Sequence, residues 1–109
     1  MQVTGSFIDK VAAEIRRVSD PEASKLDTDI SLYRFYAVLL LAKGREVTPE
    51  DVHNAWSAWA SEHDTENRNL IPYKELSLAM QRRDDVYVDA IRTVAENMRL
   101  EDLEGKSQT

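Results

Sequence analysis

The stretch Ile30–Ala42 constrains this chain most, because only Ser31 and Arg34 among its thirteen residues are polar. Successive helical side chains lie about 100° apart, so Ile30, Tyr33, Phe35, Tyr36, Val38, Leu39 and Leu40 leave no wide polar face. A helix of that kind has to be covered on most sides, by its own domain or partly by a second copy of the chain. It is too short to span a bilayer, which takes about 20 apolar residues, so it reads as a core helix. The chain has 109 residues, enough for one domain with a core of its own. It has no cysteine, which excludes a zinc ribbon, an iron–sulfur cluster, a thiol nucleophile and a disulfide scaffold.

Helical periodicity runs through the rest. Ile8, Val11, Ala12, Ile15 and Val18 recur on one face, and Ser6 with Asp9 forms a capping-box pattern, so the spacing predicts a helix over about Phe7–Val18. Ser19–Asp29 is polar, contains Asp20-Pro21 and reads as a loop. The apolar helix, about Ile30–Lys43, ends at Gly44, which supplies a left-handed stop. Thr48-Pro49-Glu50-Asp51 gives a capping hydroxyl, an N-terminal proline and first-turn acids for a third helix that buries Val52, Ala55, Trp56, Trp59 and Ala60. After a polar loop over Glu62–Asn69 comes Leu70-Ile71-Pro72-Tyr73, with short helical turns opening at Pro72 and Ser77. A last long helix starts near Asp84 or Asp85 and carries Tyr87, Val88, Ile91, Val94, Ala95 and Met98 on one face. The fold class is all-α: a single domain over 1–100 with four main helices, an extended Leu-x-Pro-Tyr segment between the third and fourth, and a polar tail over 101–109.

Charge and motifs narrow the chemistry. Residues 1–47 carry seven basic and seven acidic side chains, and residues 48–109 seven and thirteen, so the net charge of −6 belongs to the second part. That balance repels phosphate backbones and argues against nucleic acid. Met1–Ser6 has no basic leader pattern and no run is long enough to span, so the expected location is the cytoplasm, with no membrane partner. Gly5, Gly44 and Gly105 are too scattered for a phosphate-cradling loop, so no nucleotide cofactor fingerprint exists. His53 and His63 are the two histidines, and neither has a second histidine at zinc spacing. Read as an EF-hand, Asp64–Glu75 puts Arg68 where an oxygen ligand belongs and Asn69 where glycine belongs. A helix-turn-helix around Gly44 would open its reading helix with Glu50 and Asp51 and offer no cation through Ala60. The adjacent Asp84 and Asp85 read as helix-start acids. These patterns predict no enzyme, no metal and no cofactor.

One ordered set of residues stands out: Val52-His53-Asn54-Ala55-Trp56, then Asn69–Ser77, an acid at Asp84 or Asp85, and Val88-Asp89-Ala90-Ile91. It resembles the RyR domain, a repeat of ryanodine receptors also found in bacterial and phage proteins, over about Val47–Arg99. Tyr33–Gly44 and Trp59 extend the likeness to small proteins of actinobacteria and their phages. The family's His-Pro falls on Asn67-Arg68 here. The resemblance implies a binding module for a protein or a small, nucleotide-like ligand, and a core that includes Trp56, Leu70, Pro72, Tyr73 and Ile91.

The candidate ligand-binding residues are His53, Trp56, Arg68 and Tyr73: an aromatic wall with one cation for an anionic ligand. Each also has a structural reading, Trp56 as core, His53 as a satisfied hydrogen bond, and Tyr73 as a turn residue whose hydroxyl caps backbone. Two further expectations compete with the small ligand. One is a protein-interaction factor working through the acidic second part, and the other is a homodimer through Ile30–Ala42.

Overall fold

The computed structural model describes residues 6–19 and 30–107, with side chains through residue 101. Five α-helices follow in chain order: α1 (Phe7–Ser19), α2 (Ile30–Lys43), α3 (Pro49–His63), α4 (Leu78–Arg83) and α5 (Asp85–Ser107). Short 3₁₀ turns lie at Gly44–Glu46 and Tyr73–Glu75, and no strand occurs among the described residues. The all-α class and the four long helices agree with the sequence reading. Met1–Gly5, residues 20–29 (within the stretch that the sequence predicts as a loop) and residues 108–109 lie outside the described residues.

Helix starts and stops are chemical. Ser6 Oγ accepts from the Asp9 amide at 3.3 Å, while the Asp9 carboxylate accepts from the Ser6 amide at 3.2 Å. At α3 the Thr48 hydroxyl accepts from the Asp51 amide at 3.1 Å and the Asp51 carboxylate accepts from the Thr48 amide at 3.0 Å. Both are capping boxes, with aspartate in place of the commoner glutamate. Gly44 has φ 58°, the left-handed conformation that ends α2. Ser77 caps α4 by accepting from the Met80 amide at 3.3 Å. Past residue 100, α5 continues through Glu101–Ser107, the segment the sequence reading places in the tail. Glu101, Leu103, Glu104 and Lys106 are good helix formers, and no proline stops the propagation.

The core joins Val11, Ala12 and Ile15 of α1, Tyr33, Tyr36, Ala37 and Leu40 of α2, Val47 and Val52, and Val88, Ala90, Ile91 and Val94 of α5. It sits where α1, α2 and α5 pack on one another, while α3 leans on α2 and α5 from the side. Trp56, Leu70 and Tyr73 are therefore only partly buried and Pro72 is exposed. Of the five residues expected from the resemblance to build the core, Ile91 alone is deep inside it. Coverage of α2 is incomplete too: Val38 is 57% and Leu41 45% exposed.

Several polar ties position α3 and α5. The Trp59 indole N–H donates to Ser31 Oγ at 2.7 Å, joining α3 to the first turn of α2. Arg92 of α5 donates to the Val47 carbonyl at 2.7 Å, and Arg45 pairs with Glu96 at 2.6 Å. Lys43 meets Asp51 at 2.9 Å across the α2–α3 turn. Tyr33, Tyr36 and Tyr87 cluster with ring centroids 5.2–6.4 Å apart, so the buried face of α2 bears directly on the first turn of α5.

Candidate functional site

The site is a cleft walled by α3, by residues 67–76, and by the junction of α4 with α5. Its construction starts with His53, which is 3% exposed on α3. His53 Nε2 lies 2.6 Å from the Ile71 carbonyl. A carbonyl can only accept, so that nitrogen carries the proton. The bond ties the Leu70-Ile71-Pro72 segment, which bends at Ile71 rather than running extended as the sequence reading has it, onto α3. Gln81 of α4 clamps the far end of the same segment by donating to the Tyr73 carbonyl at 3.1 Å and the Leu76 carbonyl at 3.2 Å. At the near end Asn67 Oδ1 accepts from the Asn69 amide at 2.8 Å, an Asx turn that reverses the chain after α3.

These anchors leave a cavity of about 210 Å³ lined by His53, Trp56, Asn67, Asn69, Leu76, Met80, Arg83, Asp84 and Tyr87. The His53 and Trp56 rings stack at 5.6 Å with an interplanar angle of 24°, forming one aromatic wall. Tyr87 carries the tyrosine cluster up to the cleft from below. Among the described residues, neither the Trp56 indole N–H nor the Asn69 side-chain amide has a hydrogen-bond partner. A second, shallower groove of about 350 Å³ runs on the other side of the Leu70–Pro72 segment, along Asn54, Ser57 and Ser61.

Asp84 is the anomalous group. Its main-chain carbonyl opens α5, accepting from Tyr87 at 3.1 Å and Val88 at 3.0 Å, a bond any residue could make there, while the acid in the first turn of α5 is Asp85. Its side chain turns to the cleft, where Oδ2 is sealed from solvent with no hydrogen-bond partner. Burial pushes this carboxyl up to about 6; neighbouring Asp85 adds to the rise, while His53 and Arg83 oppose it. Burial also raises the Tyr73 phenol, with the Asp84, Asp85 and Glu50 charges adding to it. No group of three metal-ligating side chains forms among the described residues.

The four residues singled out from sequence are placed unevenly. His53 and Trp56 line the cleft together, and His53 also makes the structural hydrogen bond. The Tyr73 ring sits 6.2 Å from His53 without lining the cavity, and its carbonyl rather than its hydroxyl is the bonded group. Arg68 is exposed between Asn67 and Asn69 and does not line the cleft. Asn69, Arg83, Asp84 and Tyr87 went unrecognised as cleft residues. Nothing in the sequence separates Asp84 from Asp85, since the bend between α4 and α5 decides which carboxyl turns inward.

No helix among the described residues is long and apolar enough to cross a membrane. No curated protein and no solved structure matches the chain. The resemblance to the RyR domain is overturned, because the family model that matches is a different one. That match takes in α1 and α2, whose side chains share one core with Val52 and Ile91, so residues 47–99 are no separable repeat. The motif residues meet general demands of helix and turn: Ser77 caps α4, Pro72 holds extended backbone, and Val52 and Ile91 fill the core. The actinobacterial or phage origin drawn from that resemblance gains no support from the match. With its model matching residues 6–96, the family to which the chain belongs is the one described as Domain of unknown function (DUF7701).

Proposed function

We propose that this protein is a non-enzymatic binding module whose ligand is a small molecule seated in the cleft between α3 and the α4–α5 junction. The observation that carries this reading is the cleft itself. It combines a stacked aromatic wall with an indole N–H and an amide side chain that no described residue engages. Ligand sites have this composition, mostly apolar walls with a few convergent polar groups. What argues against a serine–histidine catalytic pair is the chemistry of His53. Ser57 Oγ lies 3.4 Å from His53 Nε2, but that nitrogen's proton is given to Ile71 and it has no lone pair to take a proton from serine.

A thermal-shift screen of small ring compounds tests the reading. A ligand that binds only the folded state stabilises it by roughly 2.7 kcal/mol at a hundredfold excess over Kd. Hits should disappear in Trp56→Ala and weaken in Asn69→Ala. A flat screen, or hits untouched by both substitutions, overturns it. A second reading, homodimerisation through α2, is favoured by exposed Val38 and Leu41. Sedimentation showing only monomer at micromolar concentration removes it.

A further inference from the structure

Resting on the cleft as a ligand site, we infer that its ligand is a small organic cation: an ammonium or amidinium on a single ring, its N–H groups on the Asp84 carboxylate and its ring against Trp56. The argument begins with a missing partner. No described residue donates a hydrogen bond to the Asp84 carboxyl, and Oδ2 is walled off from water as well. Oδ2 alone is sealed, so a donor entering the cleft meets Oδ1 and neutralises the charge that both oxygens share. The carboxyl is half-buried, and drawing even part of its charge out of water costs free energy that a paired donor recovers.

The protein's own cations do not fill this role. Arg83 lines the cleft, but its Nη1 rests 3.6 Å from Met80 Sδ and forms no ion pair. His53 spends its proton-bearing nitrogen on Ile71. Asp85 adds a second negative charge next to the first. An anionic ligand would meet the Asp84 carboxylate, with the Asp85 charge next to it, and a neutral one would leave the Asp84 charge uncompensated. A cation gains the carboxylate and, at the same time, the aromatic rings of Trp56 and Tyr87 that line the same cleft. Size limits the rest: about 210 Å³ exceeds by a modest margin the ~150 Å³ cavity that holds benzene. One ring with one substituent fits.

Three probes of nearly one shape separate the possibilities: benzamidine, benzamide and benzoate, read by tryptophan fluorescence and by the thermal midpoint near neutral pH. The expected result is saturable binding of benzamidine, with benzamide and benzoate about tenfold weaker or worse, and a loss of about tenfold or more in Asp84→Asn. A readout that needs no variant accompanies it. Benzamidine affinity of the unaltered protein should fall as pH drops below about 6, where Asp84 takes up its proton. The titratable and charged groups facing Asp84 in that experiment are His53, Tyr36, Tyr73, Arg83, Asp85 and Tyr87. If benzamide or benzoate binds as tightly as benzamidine, or Asp84→Asn binds benzamidine unchanged, the cationic ligand is refuted while the cleft stands. If none of the three moves either readout, the cleft reading falls with it.

Discussion

Replacing Asp84 with asparagine keeps the shape of the side chain and removes its charge, so it measures what that charge costs the fold. The carboxyl is pushed from its ordinary 3.8 up to about 6, chiefly by burial. At about 1.36 kcal/mol per pH unit the displacement corresponds to about 3 kcal/mol. The side chain is only about half removed from solvent, and screening reduces the figure to about 1–2 kcal/mol. Its sign follows from which state holds the proton more tightly. A raised carboxyl binds its proton better in the folded protein, so its contribution to stability is greatest in acid. That contribution declines as pH rises from about 3.8 to about 6 and is gone above. Asp84→Asn should therefore be more stable than the parent by about 1–2 kcal/mol near pH 7.5, with the gain shrinking toward zero near pH 4. Urea unfolding followed by tryptophan fluorescence, run on both proteins across that range, gives the difference directly. The opening of α5 is unaffected, because it uses the main-chain carbonyl of residue 84. A variant less stable than the parent at neutral pH, or a gain that ignores pH, would refute the claim that this carboxylate lacks a partner. A gain of the expected size would fit a binding group held at the expense of stability.

Other substitutions test the local chemistry. Thr48→Ala removes the hydroxyl that accepts from the Asp51 amide and should cost about 1 kcal/mol in urea unfolding, with Thr48→Ser close to the parent. Gly44→Ala meets no atom within 4 Å of the new Cβ, so its cost is that of the left-handed backbone alone, about 1–2 kcal/mol, and Gly44→Asn should lose less. Ile15→Ala empties a fully buried position between α1 and its neighbours and should cost about 2–5 kcal/mol. Arg68→Ala should leave stability within about 0.5 kcal/mol and benzamidine affinity unchanged; a large loss of binding would restore Arg68 to the site.

Much of the local structure was legible because its causes lie within a few residues. Ser6 with Asp9 and Thr48 with Asp51 announce helix starts through side chains that reach three residues along the chain. Gly44 announces a stop because it alone takes the left-handed conformation without strain. Pro72 and Ser77 mark the two turns that the 3₁₀ segment and α4 occupy. The candidate site was only half legible. His53 and Trp56 stand four residues or fewer apart on one helix, so their joint appearance follows from helical spacing. Tyr73 and Arg68 were chosen for their chemistry, an aromatic ring and a cation for an anionic ligand, and neither lines the cleft.

By itself, then, the sequence determined the all-α class, the helix ends, the apolar character of α2 and the lack of thiol or glycine-loop chemistry. Each of these depends on covalent type and on neighbours within one helical turn. Tertiary structure alone decided that the core gathers at α1, α2 and α5 rather than around Trp56, and that Val38 and Leu41 stay at the surface. It also decided that Asp84, and not Asp85, faces the cleft without a donor. Two adjacent aspartates have the same intrinsic chemistry. Only the direction in which α5 leaves α4, set by packing of Tyr87 and Val88 against α2, assigns one to the protein and the other to water.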